Sequence, residues 1–390
     1  MDAQPSRRAD LALVAVFLAT ISLPPVAVLL GAGSTTSLTE KRAPEALPTP
    51  TWNLHGLEAF PREFDLYWND TFGFRATLVR SYNRLALSLG VSPSPKVVVG
   101  TDGWLFVGQE YGAVEYYRAT RPFSRDQLVW WQRMLEARRD WLAQRGAHYL
   151  FVVAPDKHTI YPEYMPATLN PVRTTTRLDQ LLAHLETHSD FRILDLRPAL
   201  RQAKARDPVY EPLDSHWNDL GAWIAYTEIA RRIGVWFPRI QPLPLSDFDR
   251  RWFTGQGNDL AMLLSLSDVM PGDRLRLMPR VPRRARWLET HDPLPPGSIA
   301  VSISETGDPT LPRAVVLHDS FGDSLRPFLA EHFARGVYSR QGRFAPELVE
   351  REHADLVIHE MVERTLMADF PADPPEVTRA GPDASAEPRS

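Results

Sequence analysis

Ala314-Val315-Val316-Leu317-His318-Asp319-Ser320-Phe321-Gly322-Asp323-Ser324 is an apolar run that breaks into polar and small residues. Consecutive apolar side chains without polar alternation predict a strand buried on both faces, as in a parallel sheet covered by helices. A helix is predicted to come next, as far as about Arg335. Ser320 is thereby placed at the carboxyl end of a strand and just ahead of a helix. There a hydroxyl is exposed at the sheet edge, and free backbone N–H groups can hold a developing oxyanion. The same position also suits a serine that merely caps the helix.

Working outward, similar short runs alternate with helical patterns. Strands are expected at Val97–Val99, Tyr149–Val153, Phe191–Leu194, Ile299–Ile303 and Leu356–His359, and helices at Phe60–Leu89, Arg125–Gln144, Thr176–Leu185 and Asn218–Arg232. This order predicts an α/β fold, a parallel sheet in a three-layer α/β/α arrangement. In such sheets ligands lie beyond the carboxyl ends of the strands, which is where chemistry is to be sought.

A serine nucleophile needs a base, and the base needs an orienting acid. Leu213-Asp214-Ser215-His216-Trp217-Asn218 offers both. If the segment is extended, Asp214 and His216 share a face, and the imidazole has one nitrogen for the carboxylate and one for Ser320. The alternative is that Asp214 or Asn218 caps the next helix and His216 lies on the surface. His318, two residues before Ser320, is a second possible base, or a wall of the site. His158, in Pro155-Asp156-Lys157-His158, lies just past a strand end and is expected to line the same crevice. Trp217, Tyr161 and Trp104 are candidate pocket residues, although aromatic side chains are more often core. Asp214 and His216 also offer two metal ligands, but no third residue can be nominated and no zinc spacing occurs, so no metal is expected. Gly255-Gln256-Gly257 lacks the lysine of a phosphate-binding loop.

The bulk composition sets outer limits. Across 390 residues the net charge is only −4, with no basic footprint for nucleic acid, and the chain has no cysteine, which excludes disulfides and a thiol nucleophile. The 35 prolines are about twice the usual share. Arg7 and Arg8 precede Leu11–Gly31, an uncharged stretch close to the roughly 20 residues that span a bilayer. It reads as a retained anchor in preference to a cleaved signal peptide ending at Gly31, Ala32 and Gly33; both readings export the rest of the chain. The expected organisation is a cytoplasmic N-terminus and anchor over 1–33, a proline-bearing linker over 34–59, a catalytic domain over 60–370 and a disordered tail over 371–390.

Four segments together resemble the alginate O-acetyltransferase AlgX/AlgJ family, whose catalytic domain is SGNH-hydrolase-like. They are Val99-Gly100-Thr101-Asp102-Gly103-Trp104-Leu105-Phe106; Ala154-Pro155-Asp156-Lys157-His158 with Tyr161-Pro162-Glu163; Asp214-Ser215-His216-Trp217; and His318-Asp319-Ser320-Phe321. Glu360 and Val362-Glu363-Arg364 resemble its closing strand and turn. The resemblance implies Ser320 as nucleophile, His216 as base and Asp214 as orienting acid, with no cofactor. It further implies a polysaccharide acceptor and acetyl groups delivered by a multi-pass membrane acyltransferase, among exopolysaccharide assembly proteins. The implied location is the inner membrane, single-pass, with the catalytic domain in the periplasm. Two departures stand out: His318 occupies the place of the usual glycine of Gly-Asp-Ser, and Asn218 that of a frequent threonine. An acetyl-esterase with the same triad, or a non-catalytic scaffold of an assembly complex, are the alternative readings.

Overall fold

The computed structural model describes residues 7–30, 45–109, 112–288, 301–340 and 342–368. The expected tail over 371–390, residues 34–44 of the expected linker, Gly31, Ala32 and Gly33, and the start of the strand expected at Ile299 lie outside them.

The chain divides into two compact units, Met1–Ser94 with Gly257–Met270, and Pro95–Gln256 with Pro271–Ser390. In the first, the helix Arg7–Leu29 contains Ala9–Val28, a segment of 20 residues with mean hydropathy 2.3, long and apolar enough to cross a membrane. Pro24 and Pro25 lie inside this helix. A second helix starts at Leu54, inside the expected linker, because Asn53 caps it by accepting the N–H of Gly56 at 2.7 Å. It runs to Thr71, and a third helix spans Arg75–Ser88. Asn83 donates to the carbonyl of Leu264, and Arg80 pairs with Asp268, which ties the segment 257–270 into this unit. Residues 60–94, expected within the catalytic domain, thus belong to this first unit.

The second unit carries the sheet. Its strands in chain order are β1 (Val97–Val99), β2 (Leu105–Val107), β3 (His148–Ala154), β4 (Leu194–Asp195), β5 (Phe248–Gly255), β6 (Gly272–Pro279), β7 (Arg286–Leu288), β8 (Val301–Glu305), β9 (Arg313–Leu317), β10 (Arg335–Ser339) and β11 (Leu356–Val362). Seven of them form one sheet in the order β4-β3-β11-β9-β10-β8-β7. From β4 to β10 the pairing is parallel, whereas β8 pairs antiparallel with both β10 and β7. The all-parallel sheet expected from the sequence is therefore mixed at one edge. Val301-Ser302-Ile303-Ser304-Glu305 alternates apolar with polar, the pattern of a strand that is not buried on both faces.

Alternation along the central strands separates two cores. Leu150, Val152, Val316 and Ile358 pack on one face with the helix Asp219–Gly234, while Tyr149, Phe151, Val153, Val315, Leu317 and Val357 face the helices Arg125–Ala143 and Arg177–His188. Helices on both faces make the three-layer α/β/α sandwich. The helices start where capping chemistry permits: Ser124 with Gln127 and Thr176 with Asp179 form reciprocal capping boxes.

Register determines what meets at the functional edge. Val362 on β11 lies opposite Ala154 on β3, and Ser339 on β10 lies opposite Leu317 on β9. All four strands run the same way, so Pro155–His158, His318–Ser320, Arg340 and Glu363–Arg364 emerge at one carboxyl edge. The connections leave β3 toward β4 on one side and β9 toward β10 on the other. This reversal opens the crevice in which open α/β sheets bind ligands.

Candidate active site

Ser320 comes after β9 as expected, but the long helix predicted beyond it does not form. The chain makes a 3₁₀ turn over Gly322–Ser324, a single helical turn over Arg326–Leu329 and a second 3₁₀ turn over Ala330–His332, and then enters β10. Pro327 sits at the start of the middle turn and lacks the N–H that a continuous helix from Ser320 would need. The backbone around Ser320 is instead held by buried carboxylates. Asp319 accepts the N–H groups of Phe321 at 2.8 Å and Val362 at 2.7 Å, and Glu360 accepts the N–H of Asp319 at 3.2 Å. The amides of Asp319 and Phe321 are thus committed to side chains. Burial pushes Glu360 well above the usual carboxylate range, with repulsion from Asp319 adding to it, and burial also raises Asp319.

His216 meets Ser320 from a loop closed by a Tyr210–Trp217 bridge. Its Nε2 lies 2.8 Å from Ser320 Oγ, and its Nδ1 lies 2.9 Å from Asp214 Oδ1. The same Asp214 oxygen accepts the backbone N–H of His216 at 3.0 Å. The two side chains therefore meet through a local Asx-type turn, not through the alternation of an extended strand. Asn218 does cap the adjoining helix, accepting the N–H of Gly221 at 2.9 Å, so capping and a formed Asp–His pair coexist in one segment.

Asp214, His216, Trp217 and Ser320 line a cavity of about 260 Å³, together with Arg274, Arg276 and Arg340. The arginines arrive from β6 and from the end of β10. Glu211 accepts the N–H of Leu275 and Asp219 that of Leu277, which seats β6 over the site. Sequence reasoning missed these cations, although Asp273-Arg274-Leu275-Arg276-Leu277 alternates polar with apolar, as a half-buried strand does. No comparable pattern flags Arg340.

The remaining expected site residues are placed elsewhere. His158 is buried, its Nε2 donates to the carbonyl of Val107 at 2.9 Å, and burial lowers it to about 4. Tyr161 is buried against Trp104, its ring centroid 4.6 Å away, and its hydroxyl accepts the N–H of Val209. Trp104 itself stacks on Tyr164 at 4.4 Å, inside the core. His318 donates from Nδ1 to the carbonyl of Asp319 at 2.6 Å, and burial lowers its pKa. It packs on Gly322, where any Cβ would collide with its ring. None of these four lines the cavity around Ser320. Trp217 does, as a buried wall 5.1 Å from the ring of Phe321.

Against known proteins, the family model described as "SGNH hydrolase-like domain, acetyltransferase AlgX" matches residues 97–290. Residues 97–290 are thus similar to an AlgX-type SGNH hydrolase-like domain. Among curated relatives, the probable alginate O-acetylase AlgJ of Pseudomonas aeruginosa is 27% identical over 80% of this chain and 76% of its own. That of Pseudomonas putida is 28% identical over 46% of this chain and 43% of its own. Among solved structures, Bacillus cereus PatB1 with a sulfonyl adduct superposes with a TM-score of 0.50 at 15% identity, covering 70% of this chain and 96% of that one. The last likeness is one of fold.

Proposed function

We propose that this protein is an O-acetyltransferase that places acetyl groups on hydroxyls of an exopolysaccharide, of the alginate type or related, through an acetyl-Ser320 intermediate. The observation that carries the reading is His216, with Asp214 at one nitrogen (2.9 Å) and Ser320 at the other (2.8 Å). His216 Nε2 takes the hydroxyl proton of Ser320 as its oxygen attacks the acetyl carbonyl, and returns that proton to the departing group of the donor. A sugar hydroxyl then gives its proton to His216 and attacks the acetyl-serine, and Ser320 leaves with the proton. Asp214 keeps the other imidazole proton on Nδ1 and stabilises the imidazolium between the two transfers. None of these steps calls for a cofactor.

The names of the AlgJ relatives support acetyl transfer on alginate, and Arg274, Arg276 and Arg340 around the cavity suit an acidic sugar. The membrane-length helix Ala9–Val28 supports a single-pass anchor over residues 1–33, with a linker and a periplasmic catalytic domain beyond it. A multi-pass acyltransferase in the same membrane would supply acetyl groups, beside other exopolysaccharide assembly proteins.

One observation favours a second reading, polysaccharide acetyl-esterase. The His216 and Asp214 side chains keep 26% and 25% of their exposure, so the pair is open to water as well as to a sugar hydroxyl. Incubating the purified protein with an activated acetyl ester and an oligosaccharide separates the readings. Acetylated sugar made by wild type and not by Ser320→Ala supports transfer, free acetate alone supports hydrolysis, and no reaction supports a scaffold.

A further inference from the structure

Lys157 is buried to 1% exposure at the carboxyl end of β3, in a short helix Lys157–Ile160. Its Nζ donates to three carbonyl oxygens of a single loop: Glu211 at 3.0 Å, Pro212 at 3.0 Å and Asp214 at 2.5 Å. An ammonium group has three N–H donors, and all three are directed into the segment that carries Asp214 and His216. Trp104 and Phe106 present their rings 5.3 and 5.1 Å from the same nitrogen, which adds cation–π attraction.

We propose that Lys157 is the positioning residue of the triad: its ammonium holds the 211–214 loop in the one conformation that aims the Asp214 carboxylate at His216. The proposal rests on the triad reading above. Its physical basis is the convergence of carbonyls. Three carbonyl dipoles pointing at one buried spot repel one another, and a cation at that spot reverses the sign of the interaction. The bond to the Asp214 carbonyl fixes the backbone of that residue, from which its side chain reaches the N–H and the Nδ1 of His216. The loop is held at its other points by the Tyr210–Trp217 bridge, by the hydroxyl of Tyr210 on the carbonyl of Pro155, and by Leu105 N–H on the carbonyl of Pro212. Lys157 is the fastening nearest the acid. A point-like ammonium fits this triangle of oxygens, and a planar guanidinium does not.

Two variants and two readouts test this in the full-length protein. Lys157→Met keeps the stem and removes the donors; Lys157→Arg keeps the charge and changes the geometry. We expect both to retain the wild-type circular dichroism spectrum and to lower kcat on p-nitrophenyl acetate by about 10- to 100-fold, with KM within about twofold of wild type. The second readout does not depend on turnover: the low-field proton resonance of His216 Nδ1–H, identified by its loss in His216→Ala, should shift or vanish in both variants. Should Lys157→Met not fold, Lys157→Arg decides alone. A folded variant with wild-type kcat and an unmoved resonance overturns the proposal, as does Lys157→Arg behaving as wild type throughout. If wild type itself is inert toward esters, the triad reading fails, and the resonance still shows whether Lys157 positions His216.

Discussion

Nε2 of His216 lies 2.8 Å from Oγ of Ser320, although 104 positions separate the two residues along the chain. That contact exists because β9 delivers the serine and a loop fastened to the end of β3 delivers the histidine. From it, Ser320→Ala should lower acetyl release from a small ester by at least about 10³-fold, and the double variant with His216→Ala should lose little more. Thermal unfolding of Ser320→Ala should stay within about 1 kcal/mol of wild type. Losses that multiply in the double variant would mean that the two residues act independently.

Asp214 is expected to act through the tautomer of His216. In Asp214→Asn the amide can place a donor where Nδ1–H now points, so the imidazole proton moves to the nitrogen facing Ser320. Ester turnover should fall by about 10²- to 10⁴-fold while KM changes little. Steady-state kinetics on folded protein checks this, and a fall confined to KM would contradict it.

Gly322 lies under the ring of His318, with no room for a side chain. Gly322→Ala should destabilise the protein by about 1–3 kcal/mol through overpacking and displace the turn carrying Ser320. The paired variant Gly322→Ala with His318→Gly, which restores the space, should recover both stability and turnover. Failure of the pair to recover either would separate the two residues.

The buried histidines should weaken the fold on acidification, whereas the buried carboxylates Glu360, Asp319 and Glu363 should strengthen it. Burial lowers His158 and His332 to about 4 and His359 to about 3, below the ordinary histidine value near 6.5. Their folded values are depressed, so between those limits the unfolded chain binds more protons. Each histidine then costs about 1.4 kcal/mol per pH unit as pH falls from about 6.5 toward its folded value. Glu363 acts in the opposite direction: burial and the charge of Asp156 raise it to about 8, so its contribution is present in acid and is lost as pH rises through that value. In His359→Asn the dependence of unfolding free energy on pH between 4 and 6 should be shallower by about one histidine's share. Equal slopes would show that His359 does not titrate on unfolding.

Arg340 should matter more for a charged acceptor than for a neutral one. It lines the cavity beside Ser320 and pairs with Asp323 at 3.0 Å, so Arg340→Gln removes a cation and leaves a carboxylate at the rim. The KM for an oligouronate acceptor should rise by about 5- to 10-fold at low salt, the KM for a neutral oligosaccharide should rise less, and the gap should close in high salt. Equal effects on the two acceptors would remove Arg340 from acceptor selection.

Ser320, His216 and Asp214 were legible because each sits in a short polar motif next to an unmistakable strand or helix. The local reasons proved different: an Asx-type turn joins Asp214 to His216, and carboxylates replace the expected helix terminus around Ser320. His158, Tyr161 and His318 were misplaced because sequence shows that a residue lies just past a strand, and not whether its side chain turns into the crevice or the core. Strand β10 was hidden for a related reason. Arg335-Gly336-Val337-Tyr338-Ser339 carries a glycine and no continuous apolar run, and its burial comes from its neighbours β9 and β8. Lys157 stood within a recognisable motif, yet its three carbonyl partners lie in a loop far along the chain, and periodicity carries no trace of such a contact.

Intact-protein mass spectrometry after exposure to an activated acetyl ester tests the central claim, that Ser320 carries the acetyl group between donor and acceptor. Wild type should gain one acetyl mass, located by peptide mapping to the fragment containing Ser320, and lose it when an oligosaccharide acceptor is added. Folded Ser320→Ala should gain none. An acetyl group on another residue, or Ser320→Ala that still transfers acetyl to sugar at the wild-type rate, would contradict the account.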